Sequence, residues 1–489
     1  MVLGRFLAVA GVAGCIVCAC ATTHNLDGSS TGGPFVAVPA DLPPDLGFEN
    51  GRLIGGKGGE VGHQIDCAGD GTCTVTGQSA QGFGRSVDLL VAKLAPDLQP
   101  IWARTYGGPS LEKPYASIPT ADGGHLVLAG SSSLFHTPLG RITPGYMRPL
   151  LVRIGPTGDL QWAETVRDVT ALLGGTQARD GGFLLTGIVA ARTAQDPDYD
   201  TLLLKLAPDG TTVWLMLYRQ VGTDYGRAVV ELDDGRIVVA GAALNPIDVP
   251  KESAGEKFHR IVVEGKLQPD RAEIYSLSLM MTDGSGNPLW NRRYEGPHVS
   301  PGVIALEDGD GLVVAGAMFQ DGQRDLFAVG LDISGRPEWA MTYPGPGDNE
   351  FQNLERGTDG TVLVVGTHQD ARTKASEGSA LLIDGHSGAL VDTAKLSGSG
   401  KSALYDGASI GPDRFRLTGT TTGFGSKEAD IVSADWRPEN HPTAAPAQTS
   451  IDLVPEVVTV IPAAFSVNYD VVTTLLHTNW LPLGNPLEP

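Results

Sequence analysis

One short phrase recurs along this chain and limits what it can fold into: an Asp-containing turn, then an apolar run that ends in Gly. It appears as GDGTCTVTG (69–77), ADGGHLVLAG (121–130), RDGGFLLTG (179–187), DDGRIVVAG (233–241), GDGLVVAG (309–316), TDGTVLVVG (358–366) and GPDRFRLTG (411–419). Each run is bounded by turn formers and built largely from strand formers, which marks a strand entered from a hairpin turn. A second phrase follows in step, a strand, a turn and a further strand that usually carries Trp. Its copies are DLLVAKLAPDLQPIWARTYGG, PLLVRIGPTGDLQWAETV, TLLLKLAPDGTTVWLMLY, YSLSLMMTDGSGNPLWNRRYEG, DLFAVGLDISGRPEWAMTY and ALLIDGHSGALVDTAKLSG. The first phrase has seven copies and the second only six, because the last unit stops at ADIVSADW (429–436).

The missing piece lies upstream. In GFENGRLIGGKGG (47–59), Arg52-Leu53-Ile54-Gly55-Gly56 aligns with Arg104-Thr105-Tyr106-Gly107-Gly108 of the first full unit. An N-terminal strand that completes the last unit hides the edges of a circular array, whose open outer strands would otherwise expose unpaired N–H and C=O groups. The first and last units, neighbours only in a closed ring, also share their B–C loops, GQSAQGFGRSVD and GTTTGFGSKEAD. The expectation is an all-β fold, a seven-bladed β-propeller closed by an N-terminal strand. The units resemble the bacterial β-propeller repeat of secreted proteins and lipoproteins, the best matches being Ala92 to Gly108 and Asp122 to Gly130. That resemblance implies a scaffold and carries over no catalytic residue.

At 489 residues, with 65 Gly, 33 Pro and 19% charged residues, the composition suits a large turn-rich β protein. A formal charge of −21 with no basic run repels phosphate backbones, so nucleic acid is not expected as a partner.

The N-terminus carries an address. Arg5 precedes FLAVAGVAGCIVCA, too short to span a bilayer but suited to the apolar part of a signal peptide. Val12-Ala13-Gly14-Cys15 matches the bacterial lipobox, and Val17-Cys18-Ala19-Cys20 matches it more loosely. Motif quality favours Cys15. The length of the apolar run favours Cys20, as does parity, since lipidation there leaves Cys67 and Cys73 as an even pair in an oxidising compartment. These two flank a five-residue turn (68–72) and are expected to form a disulfide. The domain reading is a lipoprotein signal peptide (1–20), a flexible tether (21–46), the propeller (47–437), and a Pro-rich linker with an apolar tail (438–489). Pro455, Glu456, Pro462, Asn468 and Asp470 interrupt the tail, so it is no membrane span. It either packs along the propeller or is offered to a partner as an added strand or apolar plug. Neither candidate lipidation site is followed by Asp, which directs the anchor to the outer membrane if the cell is Gram-negative.

Residues shared by the units are read as builders. Trp102, Trp162, Trp214, Trp290 and Trp339 occupy one position and are expected to cover the gap to the next blade. The Asp-Gly pairs are hairpin turns, and Asp308-Gly309-Asp310-Gly311 lacks the further oxygens and distal Glu of an EF-type calcium loop. Residues not shared are the better place for recognition. Three consecutive units carry long B–C insertions, SSSLFHTPLGRITPGYMR, VAARTAQDPDYD and ALNPIDVPKESAGEKFHRIVVEGKLQPDRAE. They hold Phe135, His136, Arg141, Tyr146, Tyr199, Lys257, Phe258, His259 and Arg260, residue types common at interfaces, and are expected to form a wall on one face.

The function expected is therefore a non-catalytic, lipid-anchored envelope protein with a monomeric body that binds a protein or a glycan, without metal or cofactor. The alternative is a propeller enzyme, a glycan or lactone hydrolase or a quinoprotein-like protein, with its site at the axial mouth. His63, Tyr115, Tyr225, Phe351 and Tyr405 fall near the entrances of the innermost strands and either pack within the blades, the favoured reading, or ring that mouth. Against catalysis, the sequence has no Ser-His-Asp spacing, no His-x-x-x-His and no adjacent cysteine pair of the kind many quinoproteins use.

Overall fold

The computed structural model describes residues 35–438 apart from several loops, together with five short stretches between 449 and 480. The candidate lipidation sites Cys15 and Cys20 lie outside the described residues, as do Phe135, His136, Arg141, Tyr146, Lys257, Phe258, His259, Arg260 and the Asp308–Asp310 turn.

Seven antiparallel sheets form the ring. Two strands precede the first blade, β1 (Val36–Pro39) and β2 (Phe48–Gly55). Blade 1 is β3 (Glu60–Cys67), β4 (Cys73–Ser79), β5 (Asp88–Leu94) and β6 (Pro100–Gly107). Blade 2 is β7 (Glu112–Pro119), β8 (His125–Ser131), β9 (Arg148–Ile154) and β10 (Leu160–Val166). Blade 3 is β11 (Ala171–Gln177), β12 (Phe183–Ala190), β13 (Tyr199–Leu206) and β14 (Thr212–Arg219). Blade 4 is β15 (Asp224–Glu231), β16 (Ile237–Leu244), β17 (Tyr275–Thr282) and β18 (Pro288–Tyr294). Blade 5 is β19 (His298–Ala305), β20 (Gly311–Gln320), β21 (Gln323–Asp332) and β22 (Pro337–Tyr343). Blade 6 is β23 (Gly347–Arg356), β24 (Thr361–Asp370), β25 (Ser376–Asp384) and β26 (Leu390–Leu396). Blade 7 takes β27 (Ser402–Gly411), β28 (Arg414–Thr421) and β29 (Asp430–Trp436) from the end of the ring, and β2 from its start.

The four strands of each blade run A to D from the axis outward. Each A strand meets the next around the ring, and β27 returns to β3. The ring closes as expected: β2 pairs with β29, placing Leu53 opposite Val432 and Ile54 opposite Ile431. Among the described residues an apolar cluster lies at each blade interface, from that of Tyr106 and Val152 between blades 1 and 2 to that of Ile65 and Ile431 between blades 1 and 7. Burial between blades, rather than within one, is what a thin sheet needs, because both faces must be covered.

The recurrent Trp lies across five of the seven interfaces, and in four of them a Tyr four residues on adds a hydrogen bond. Trp102, Trp162, Trp214, Trp290 and Trp339 each lie against a positive-φ Gly in the C–D turn of the next blade. The Tyr four residues on donates to that glycine's carbonyl: Tyr218 to Gly286, Tyr294 to Gly335 and Tyr343 to Gly388, each at 2.7 Å.

A buried clasp secures the closing blade. Asp435, 1% exposed, accepts from Arg416 (Nε, 2.7 Å; Nη2, 3.2 Å), Arg414 (Nη2, 2.8 Å) and Asn50 of β2 (Nδ2, 3.1 Å). Arg416 also reaches across to blade 1, donating to the carbonyls of Pro96 at 2.7 Å and Gly71 at 3.3 Å. Cys67 and Cys73 are disulfide-bonded and sit opposite each other in the β3–β4 register.

Both termini pair with the outer edges of blades. Within the stretch read as a tether, β1 pairs with β2 as a fifth strand of blade 7, and Phe35 beside it is fully buried. The tail runs back around the ring as a belt. Its strands β30 (Thr449–Ser450), β31 (Pro455–Val457), β32 (Ile461–Ala464), β33 (Tyr469–Val471) and β34 (His477–Trp480) pair with the D strands of blades 5, 4, 3, 2 and 1 in turn. Pro455, Pro462 and Tyr469, seven residues apart, sit opposite the equivalent residues Tyr294, Tyr218 and Val166. Seven extended residues reach at most about 25 Å, so one repeat of the belt carries the chain from one blade edge to the next.

Candidate functional site

The axial channel is built by the A strands, and all seven share one irregularity. Each A–B pair carries a register shift at the same point: around His63, Tyr115, Leu173, Arg227, Ser300-Pro301, Gln352 and Tyr405. A bulge leaves a residue outside the ladder and bends the strand, which suits an inner strand that turns around an axis. Of the five residues proposed for the mouth, His63, Tyr115 and Tyr405 are bulge residues. Tyr225 and Phe351 fall just before theirs. Tyr115, Tyr225 and Phe351 are buried and pack into the blades, whereas His63 and Tyr405 keep accessible surface.

These two side chains from blades 1 and 7 face each other, with ring centroids 5.3 Å apart. His63 Nε2 lies 3.2 Å from Gln78 Oε1. Enclosure by protein lowers the His63 pKa to about 4, against a raising effect from the Gln78 bond and with a smaller lowering from Lys113. The imidazole is therefore neutral at physiological pH.

Next along the strands, Asp406 of blade 7 and Gln64 of blade 1 cap N–H groups of the following blade, and Asn353 of blade 6 donates to Asp406. Asp406 Oδ2 accepts from Ile65 N–H at 2.8 Å; its Oδ1 accepts from Gly407 N–H at 2.8 Å and from Asn353 Nδ2. Gln64 does the same for Ser117 N–H in blade 2. Blades 2 to 5 carry Ala116, Gly174, Ala228 and Gly302 at this register, so at this level the ring is polar on blades 6, 7 and 1 and small and apolar on the others.

The polar half holds three carboxylates, Asp66, Glu355 and Asp406. Burial pushes Asp406 up to about 7, against the hydrogen bonds it accepts and with Asp66 adding to the rise. Burial, then Asp406 and Asp66, push Glu355 up to about 8. His125, 4% exposed, has its Nε2 3.6 Å from Asp66 Oδ2. Chemically this channel can hold a proton at Glu355 near neutral pH and present a neutral imidazole and a phenol at the level of the bulges. Among the described residues no three His, Cys, Asp or Glu side chains converge as metal ligands.

The B–C insertions open at the end where each A strand begins, because B–C and D–A connections share one end of a four-stranded meander. Their only described member among the proposed recognition residues is Tyr199. It opens β13 opposite Ala190 and is 1% exposed. It is therefore a core residue and is removed from the recognition wall. The ring sits where the strand enters the sheet, not out along the loop as the sequence reading placed it.

No protein-family model matches the chain, and no curated protein does. Solved structures share the architecture at low similarity. A protein of unknown function from Bacteroides caccae is 12% identical, with 63% of this chain and 89% of that chain covered at a TM-score of 0.37. One of unknown function from Dyadobacter fermentans is 10% identical, with 83% and 98% covered at 0.42. The quinohemoprotein alcohol dehydrogenase of Comamonas testosteroni is 10% identical, with 79% and 76% covered at 0.37.

Proposed function

We propose that this protein is a lipid-anchored envelope protein, held at the outer membrane of a Gram-negative cell. Its propeller is a non-catalytic scaffold for recognising a protein or a glycan. The observation that carries this reading is the placement of three long B–C connections, 132–147, 191–198 and 245–274, on consecutive blades at one end of the ring. Insertions gathered on one face of a repeat scaffold are its usual recognition surface. The belt supports the choice of that face over the C-terminus, since five blade edges already engage the tail. The axial carboxylate Asp406 supports it too, because its oxygens are taken up by N–H groups of the scaffold.

Two experiments test the reading. Metabolic labelling with a fatty acid should mark the wild type and fail in Cys20→Ser; label lost only in Cys15→Ser moves the anchor, and label in neither protein removes it. Deleting residues 247–268 should abolish retention of envelope glycans or proteins on the immobilised chain, and unchanged retention excludes that insertion.

A second reading, a hydrolase at the axial channel, is favoured by one observation. Glu355 carries its proton near neutral pH beside two other carboxylates, as a general acid would. Hydrolysis of chromogenic glycosides or lactones by the wild type but not by Glu355→Gln would establish it.

A further inference from the structure

Six of the seven D strands are covered by a fifth strand, five from the tail and one from the N-terminus. Among the described residues only β26 of blade 6 has none. Its exposure shows at one position. The equivalent D-strand position is buried in the other blades: Thr105 0%, Thr165 1%, Leu217 2%, Arg293 6%, Thr342 3% and Leu53 5% exposed. In β26 that residue is Lys395, and it is exposed.

The belt shows what such an edge accepts. Pro455 and Pro462 lie opposite Tyr294 and Tyr218, and proline has no N–H to donate. Those are therefore non-hydrogen-bonded pairs, and the ladder bonds belong to the next pair, Arg293 with Glu456 and Leu217 with Ala463. By the same register, Leu396 of β26 can face a residue without an N–H, and the outward N–H and C=O belong to Lys395. In blade 4 the belt sets an acidic residue, Glu456, opposite the cation Arg293. Blade 6 offers the same arrangement, a cation one residue inside the end of the strand, with no described acid opposite it.

We propose that the outer edge of β26 is a strand-addition site for an extended acidic segment of a partner protein. The segment lies antiparallel with a proline or other residue opposite Leu396 and a carboxylate opposite Lys395. Main-chain bonds supply the attachment and the charge pair sets the register. This site is separate from the insertion face and does not depend on that face binding anything.

The test uses the full chain and a fluorescein-labelled peptide, Asp-Leu-Val-Pro-Glu-Val-Val, as probe. Fluorescence anisotropy should rise to saturation with wild type. Lys395→Pro, which deletes the outward N–H, should weaken binding at least tenfold. Lys395→Glu should weaken it about fivefold, and a probe with Lys in place of Glu should recover that loss. Thermal melts verify that both variants are folded; if Lys395→Pro is not, the charge swap alone decides. The proposal is overturned if the wild type does not bind the probe, or if binding is indifferent to both substitutions. It is also overturned if binding appears only after residues 439–448 are deleted, which would give the edge to the chain itself, or if sedimentation shows a dimer that the probe dissolves, which would give it to a second copy.

Discussion

The hydroxyl of Tyr343 in blade 5 donates to the carbonyl of Gly388 in the C–D turn of blade 6 at 2.7 Å. The same glycine has φ +69° and lies under Trp339, so that a Cβ there would meet the indole at 2.5 Å. Gly388→Ala therefore combines a left-handed backbone with a clash and is expected to cost about 2–4 kcal/mol. Tyr343→Phe, which leaves the buried carbonyl without its donor, is expected to cost about 1–2 kcal/mol. Urea denaturation checks both, and equal costs would show that the hydroxyl, not the packing, dominates this interface.

Ring closure rests on Asp435. Arg416 and Asp435 are 3% and 1% exposed, and removing either leaves its partner charged and buried. Arg416→Ala and Asp435→Ala are each expected to cost about 3–5 kcal/mol. Asn50→Ala, which removes one bond from the N-terminal strand, should cost about 1 kcal/mol. Hydrogen exchange gives a sharper reading: the two charge deletions should speed exchange in β2 and β29 before the other blades, whereas uniform acceleration would mean that closure is no weaker than the rest.

How much of this was legible depended on whether a residue speaks for itself or only with a distant partner. The Asp-Gly turns and the Trp position repeat in the sequence, and both the blade count and the N-terminal closing strand follow from them. The Trp–Gly partnership is harder to see because it is broken where the ring closes. There Asn50 stands in place of Trp, and Leu98 at φ +66°, fully buried in the cluster that includes Phe35, stands in place of Gly. The large side chain has moved to the other blade. The axial residues Gln64, Asn353 and Asp406 share a position only once the bulge is counted. The belt was written in Val454-Pro455, Ile461-Pro462 and Asn468-Tyr469, seven residues apart. Strands of two to four residues show no alternation of their own, and their partners lie far away in sequence.

Three buried carboxyls give stability a definite pH dependence. Burial raises Glu112 to about 7, Asp406 to about 7 and Glu355 to about 8. In the unfolded chain they lose their protons near pH 4, so between about pH 4 and pH 8 the folded state holds more protons. Their contribution is then fully present below pH 4 and falls as pH rises through that window. His63, lowered to about 4, acts oppositely: its contribution is lost as pH falls from about 6.5 toward 4. Glu355→Gln should flatten the alkaline decline by on the order of 1–3 kcal/mol between pH 5 and pH 9. Denaturation series at those two values check it, and a variant with the wild-type slope would place the titration elsewhere.

The belt accounts for why so large a ring with so many outer edges need not aggregate through them. Exposed D strands present rows of unpaired N–H and C=O groups, ready to template pairing between molecules. Ending the chain at Arg437 uncovers five of these edges at once, those of blades 1 to 5. The interfaces between blades lie inside the ring and keep their apolar clusters. The truncated protein should therefore retain its β-sheet circular dichroism yet sediment as concentration-dependent oligomers, while the full chain stays a monomer. Restoring residues 438–480 should return the monomer. Replacing Pro455 and Pro462 with Thr should leave pairing in place, because those positions donate no ladder bond. A Pro at Glu456, which sits opposite Arg293 and by that register would carry the ladder bond, should instead loosen the belt at blade 4 and raise the oligomer fraction. A truncated chain that remains monomeric at all concentrations would show that the D strands protect themselves, and the belt would then have to serve some other end.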